Sequence, residues 1–91
     1  AAYAKCKALN VRVKLRGQQD SVLQVFYRQQ GAAEFTELSS RRQKYHANPS
    51  EPEELAFLIE STAGFEPVLR IDPAMQNDKF QLQDIRVACS L

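Results

Sequence analysis

Few residues in this chain could carry chemistry. His46 is the only histidine, and it stands just before Ala47-Asn48-Pro49-Ser50-Glu51-Pro52, a stretch that reads as a loop. Histidine changes charge near neutral pH, so it is the first candidate for a general base. No nucleophile or orienting acid adjoins it in a readable pattern, and a single loop histidine reads more simply as a polar surface residue. Glu51, Glu53 and Glu54 could supply paired carboxylates, although acids this close together usually form a solvated face. Three glycines in the whole chain leave no phosphate-cradling loop. Asp72, Asn77, Asp78 and Asp84 offer the hard oxygen ligands that calcium prefers, but without EF-hand spacing; turn chemistry explains Asn77 and Asp78 equally well. Cys6 and Cys89 have one histidine to join them, which makes no zinc site. The expectation is a non-enzymatic domain with no metal and no cofactor.

Binding residues are the next possibility. Sugar recognition pairs a flat aromatic ring with planar hydrogen-bonding side chains. The chain has no tryptophan, so Tyr27, Tyr45 and the arginines are the available lining. Arg70 and Asp72 lie two residues apart in Pro67-Val68-Leu69-Arg70-Ile71-Asp72-Pro73, close enough to pair on one face of a strand. These four residues, Tyr27, Tyr45, Arg70 and Asp72, form the candidate ligand-binding set.

Charge narrows the partners. Twelve basic against eleven acidic side chains give a formal net charge of +1, too small for a general polyanion binder. Arg28, Arg41, Arg42 and Lys44 could meet phosphates, but exposed aromatics for base stacking are sparse, so nucleic acid is not expected. The charge is nevertheless uneven. Residues 1–16 hold five bases and no acid, whereas Glu51–Glu60 holds four glutamates and no base. No apolar run approaches the roughly 18–20 residues that span a bilayer, so membrane insertion is not expected. The cysteines could form a bridge if the first and last strands paired antiparallel. Two free thiols in a reducing compartment are the preferred reading, and with no signal peptide visible they point to the cytoplasm. The chain starts without Met and is expected to be one domain, residues 1–91, cut from a longer protein.

The elements that would position these residues are mostly strands. Leu9, Val11, Val13 and Leu15 alternate with Asn10, Arg12, Lys14 and Arg16, the period of a strand with one dry and one wet face. Gly17 to Ser21 reads as a turn. Val22 to Arg28 follows as a central strand, with Leu23, Val25 and Tyr27 on one face and Gln24, Phe26 and Arg28 on the other; the two strands are expected to form a hairpin. Gln29 to Ala33 is a loop. Arg41 to Tyr45 reads as an edge strand guarded by its charges. Residues 53–60 admit two readings. Ser50 with Glu53 matches a capping box, Pro52 suits a first helical turn and Gly64 could end a helix, which would give an α+β fold with one helix at about 51–62. Leu55-Ala56-Phe57-Leu58-Ile59 is apolar on every side, and Leu55, Phe57 and Ile59 alternate, which favours a buried strand. Residues 67–72 form a further strand, and the last runs from Lys79 to about Cys89. The apolar phase of that strand flips between Leu82 and Ile85, which predicts a β-bulge near Gln83-Asp84. The sum is an all-β fold: a small antiparallel β-sandwich, jelly-roll-like, of six to eight strands.

Four phrases occur in order: Leu23-Gln24-Val25-Phe26-Tyr27, Phe35-Thr36-Glu37, Leu69-Arg70-Ile71-Asp72-Pro73 and Phe80-Gln81-Leu82-Gln83-Asp84-Ile85-Arg86-Val87. Together they resemble the small β-sandwich accessory modules, similar to carbohydrate-binding modules, attached to bacterial glycosyltransferases and related cell-surface polysaccharide enzymes. The resemblance covers roughly residues 9–88. It implies a non-catalytic domain beside a transferase, whose partner is a glycan or the neighbouring glycosyltransferase domain. The other function the sequence allows is a protein-interaction or packing domain without a small-molecule ligand.

Overall fold

A computed structural model describes residues 3–48, 50–73 and 80–91. Six strands form two three-stranded sheets, with no helix among the described residues. They are β1 (Ala8–Gly17), β2 (Ser21–Phe26), β3 (Ser40–Tyr45), β4 (Glu53–Glu60), β5 (Arg70–Pro73) and β6 (Phe80–Ser90). One sheet has the order β4-β1-β6 and the other β3-β2-β5, and every strand pairing is antiparallel.

The alternation in β1 sets the core. Leu9, Val11, Val13 and Leu15 are completely buried, and each stabilises the fold by roughly 1.5–3 kcal/mol through burial alone. The facing sheet contributes Leu23, Val25, Tyr27 and Tyr45, and β4 adds Leu55, Phe57 and Ile59. Phe65, from the connection between β4 and β5, closes one end with its ring 5.8 Å from that of Tyr27.

β1 and β2 do not form a hairpin. Both edges of β1 are occupied, by β4 and β6, and both edges of β2 are occupied, by β3 and β5. The turn at Gln18–Asp20 therefore carries the chain from one sheet to the other. A short polar turn between alternating strands looks the same in sequence whether it folds a strand beside its predecessor or over it. β2 is central, as its two partly apolar faces suggest, and β3 is an edge. On that same side β3 lies against β4, where the Gln43 carboxamide donates to the Ala56 carbonyl.

Residues 53–60 are a strand, and the α+β alternative is set aside. The burial is one-sided, however: Leu55, Phe57 and Ile59 are buried, while Ala56 and Leu58 face outward. β4 is an edge strand whose outer face is exposed among the described residues, so it fills no second core there. The final strand carries the expected irregularity. Lys14 pairs with Asp84 and Leu15 with Leu82, so Gln83 is the extra residue. β5 begins at Arg70, later than the proline-bounded phrase suggested.

The cysteines are bonded, contrary to the free-thiol expectation. Leu9 pairs with Cys89 in the β1–β6 register, and the turn ahead of β1 lays Cys6 alongside, at a Cα–Cα distance of 5.6 Å. The bridge links positions 83 residues apart. Residues 3–7 are fastened further by backbone bonds, Lys7 N–H to the Ser90 carbonyl, Ser61 N–H to the Lys7 carbonyl and Phe65 N–H to the Tyr3 carbonyl.

Candidate functional site

Strand parity decides which side chains can reach a ligand. Leu23, Val25 and Tyr27 point inward, so Gln24 and Phe26 point out from the centre of the β3-β2-β5 sheet. An outward phenylalanine on a central strand is a poor neighbour for water. The chain covers it with the loop from Gln29 to Ser39, which returns across this face. Phe35 packs edge-on against Phe26, ring centroids 6.5 Å apart. The Arg28 guanidinium lies over Phe35 at 5.2 Å, and the Arg70 guanidinium over Phe26 at 5.0 Å, both within cation–π range.

Polar groups frame these rings. Gln24 is buried, and its Nε2 donates to Glu37 Oε2 at 2.7 Å and to Ser40 Oγ at 3.0 Å. Glu37 also meets Arg42 at 3.4 Å. Register places Arg70 opposite Phe26 and Asp72 opposite Gln24. Arg70 and Asp72 pair as the sequence suggested: Nη2 and Nε lie 2.6 and 2.8 Å from Asp72 Oδ2. The hydrogen bond to Asp72, then its charge, and lastly the charge of Glu37 hold Arg70 above the usual arginine range. Three guanidiniums and two carboxylates thus sit around an aromatic pair on one solvent-facing surface. Such a surface offers fixed donors and acceptors.

The candidate set divides. Arg70 and Asp72 belong to this surface. Tyr27 and Tyr45 are core residues, 5% and 1% exposed. They also lie at opposite ends of the β2–β3 pair, since Tyr45 faces Ser21 while Tyr27 follows Phe26. Tyr27 shares the inward phase of Leu23 and Val25, and the Tyr45 ring is wedged against Gly17 and Phe80. The residues that sequence reasoning missed are Gln24, Phe26, Phe35 and Glu37. The available signal was the outward phase of Phe26 on a strand already read as central.

The other polar groups are dispersed. His46 Nδ1 lies 3.4 Å from Glu53 Oε2, and its backbone N–H donates to Glu53 Oε1 at 2.9 Å. This pair borders an open cleft of about 400 Å³ lined by Asp20, Ser21, Val22, Lys44, Tyr45 and His46. Asp20 accepts the Ala47 N–H at 2.7 Å, a turn-stabilising bond. On the outer face of the other sheet Arg12 stands opposite Arg86. Each has its own carboxylate, Glu54 at 3.8 Å and Asp84 at 2.9 Å. No group of three or more His, Cys, Asp or Glu side chains converges on a metal position among the described residues. Asn77 and Asp78, two of the considered calcium ligands, lie outside the described residues. No helix of the described residues is long and apolar enough to cross a membrane.

No protein family, curated protein or solved structure matches this chain.

Proposed function

We propose that the chain is a non-catalytic accessory module of a glycosyltransferase-like protein and that the outer face of the β3-β2-β5 sheet contacts glycan. The observation that carries this reading is the Arg70–Asp72 pair held over the Phe26 ring beside Glu37 and Arg42. A guanidinium beside a carboxylate offers a donor and an acceptor at the spacing of neighbouring sugar hydroxyls, and charged groups make the stronger hydrogen bonds. The β2 backbone and the cation–π contact fix the pair in place, so little side-chain entropy remains to be lost on binding. Tyr27 and Tyr45 serve the core in this reading. The Cys6–Cys89 bridge favours an oxidising compartment over the cytoplasm suggested by the sequence.

Titration of the isotope-labelled domain with a panel of neutral and acidic oligosaccharides tests this. The expected result is a saturable set of amide shifts at Arg70, Asp72, Glu37 and Arg42, lost in Arg70→Ala. A panel that moves no resonance on this face at millimolar saccharide overturns the reading.

A further inference from the structure

β6 is the longest strand in the molecule, yet among the described residues it hydrogen-bonds on one side only, to β1. Its core-facing side chains are incompletely covered: Leu82 is 45% and Ile85 41% exposed. In β1 the same face is completely buried. Among the described residues the sandwich is therefore unfinished along β6: its second edge takes part in no strand pairing, and an apolar strip lies beneath it.

We propose that β6 pairs antiparallel with β6 of a second copy about a two-fold axis at Ile85, joining the two β4-β1-β6 sheets into one. Among centres at Asp84, Ile85 and Arg86, strand geometry and charge together favour this register. Opposed residues in an antiparallel pair point to the same face, so inward Ile85 must meet an inward residue and outward Asp84 and Arg86 must meet outward ones. Centring the axis on Asp84 opposes two carboxylates. Centring it on Arg86 opposes two guanidiniums. Centring it on Ile85 places Asp84 of each copy opposite Arg86 of the other, twice, and stacks the two Ile85 side chains on the inner face. Asp84 and Arg86 already lie side by side within one chain, 2.9 Å apart on the outer face. The pairing therefore builds a four-membered ring of alternating charge across Asp84–Arg86 of the two copies, and it ends at the Gln83 bulge, beyond which inward Leu82 would oppose outward Ala88. An isologous contact of this kind closes at the dimer.

Charges and a bulge on an edge strand can also keep it solitary, and a charge exchange separates the two cases. Sedimentation velocity of the intact chain, from micromolar to millimolar concentration, is expected to show a monomer–dimer equilibrium. Asp84→Arg or Arg86→Asp alone opposes like charges twice and should weaken dimerisation by about tenfold or more. The double variant D84R/R86D restores alternation and should recover the wild-type equilibrium. Ile85→Lys should leave a folded monomer, because Ile85 is already half in water; a cooperative thermal transition checks that. A wild-type chain that stays monomeric throughout overturns the proposal. So does a dimer that D84R, R86D and the exchange all leave unchanged.

Discussion

The ring of Tyr45 lies against the Cα of Gly17, where the chain leaves one sheet for the other. A Cβ placed on Gly17 would come within 2.6 Å of Tyr45 Cε1 and 2.7 Å of Cδ1. Gly17 has no left-handed backbone, so the position needs space, not freedom of φ. Tyr45 cannot swing aside, since it is buried and tilted against Phe80 at 6.1 Å. Gly17→Ala should cost about 1–3 kcal/mol through overpacking. Urea denaturation of the two proteins measures this, and an unchanged midpoint would show that the ring yields.

Gly64 and Gly31 provide an internal contrast. Both hold positive φ, +81° and +90°. A Cβ on Gly31 meets nothing, whereas one on Gly64 collides with the Ala4 carbonyl oxygen. Gly31→Ala should therefore cost only the left-handed penalty, about 1–2 kcal/mol. Gly64→Ala should cost clearly more and should loosen residues 3–6. Thermal unfolding of the pair reads the difference, and equal losses would argue against the Ala4 contact.

The Cys6–Cys89 bridge closes a loop spanning 83 residues. Replacing both cysteines with alanine should lower stability by about 2–5 kcal/mol. Reductant should lower the Tm of the wild-type protein and leave that of the variant unchanged. A wild-type Tm insensitive to reductant would mean that the bridge adds little to the closure already made by the β1–β6 ladder.

Gln24 fastens the Phe35–Ser39 segment to its sheet. Gln24→Ala leaves Glu37 without its carboxamide donor and should cost about 1–2 kcal/mol. Hydrogen exchange should speed up across residues 35–39 and not in β1. Uniform protection would place the anchor elsewhere, in the Phe26–Phe35 contact.

The Arg70–Asp72 pair makes a prediction about pH. The folded-state pKa of Arg70 lies above its unfolded value, so the contribution of Arg70 is complete below the unfolded value. It is lost only as pH rises through the raised folded value, beyond the ordinary arginine range. From neutral pH to pH 10 the Arg70 contribution should stay constant. Denaturant midpoints of the wild-type protein and Arg70→Ala, compared at pH 7 and at pH 10, check it: the difference between the two proteins should be the same at both.

Much of the scaffold was legible because burial follows parity. The alternation at Leu9, Val11, Val13 and Leu15 specified β1, and the phase change between Leu82 and Ile85 specified the bulge at Gln83. The same parity argument, applied to Leu55, Phe57 and Ile59, outweighed the capping-box signal at Ser50 and Glu53. The arrangement of strands was not legible, since competition for edges decides it: β1 and β2 each hold two other neighbours more favourably than each other. The disulfide depended on that arrangement, because Cys6 and Cys89 meet only once β6 lies beside β1. Half of the candidate surface was readable, in the Arg70–Asp72 spacing. Tyr27 and Tyr45 misled because an aromatic residue type does not reveal its direction, although the shared phase of Tyr27 with Leu23 and Val25 did.

The covalent link between Cys6 and Cys89 also determines how the domain responds to force. Tension applied at the two ends of the chain enters at one cysteine and leaves at the other, through a single S–S bond. The strands between them bear almost none of that load. In a tethered protein under shear, this domain would act as an inextensible link a few ångströms long, and its sheets would remain folded while neighbours without such a shunt were pulled apart.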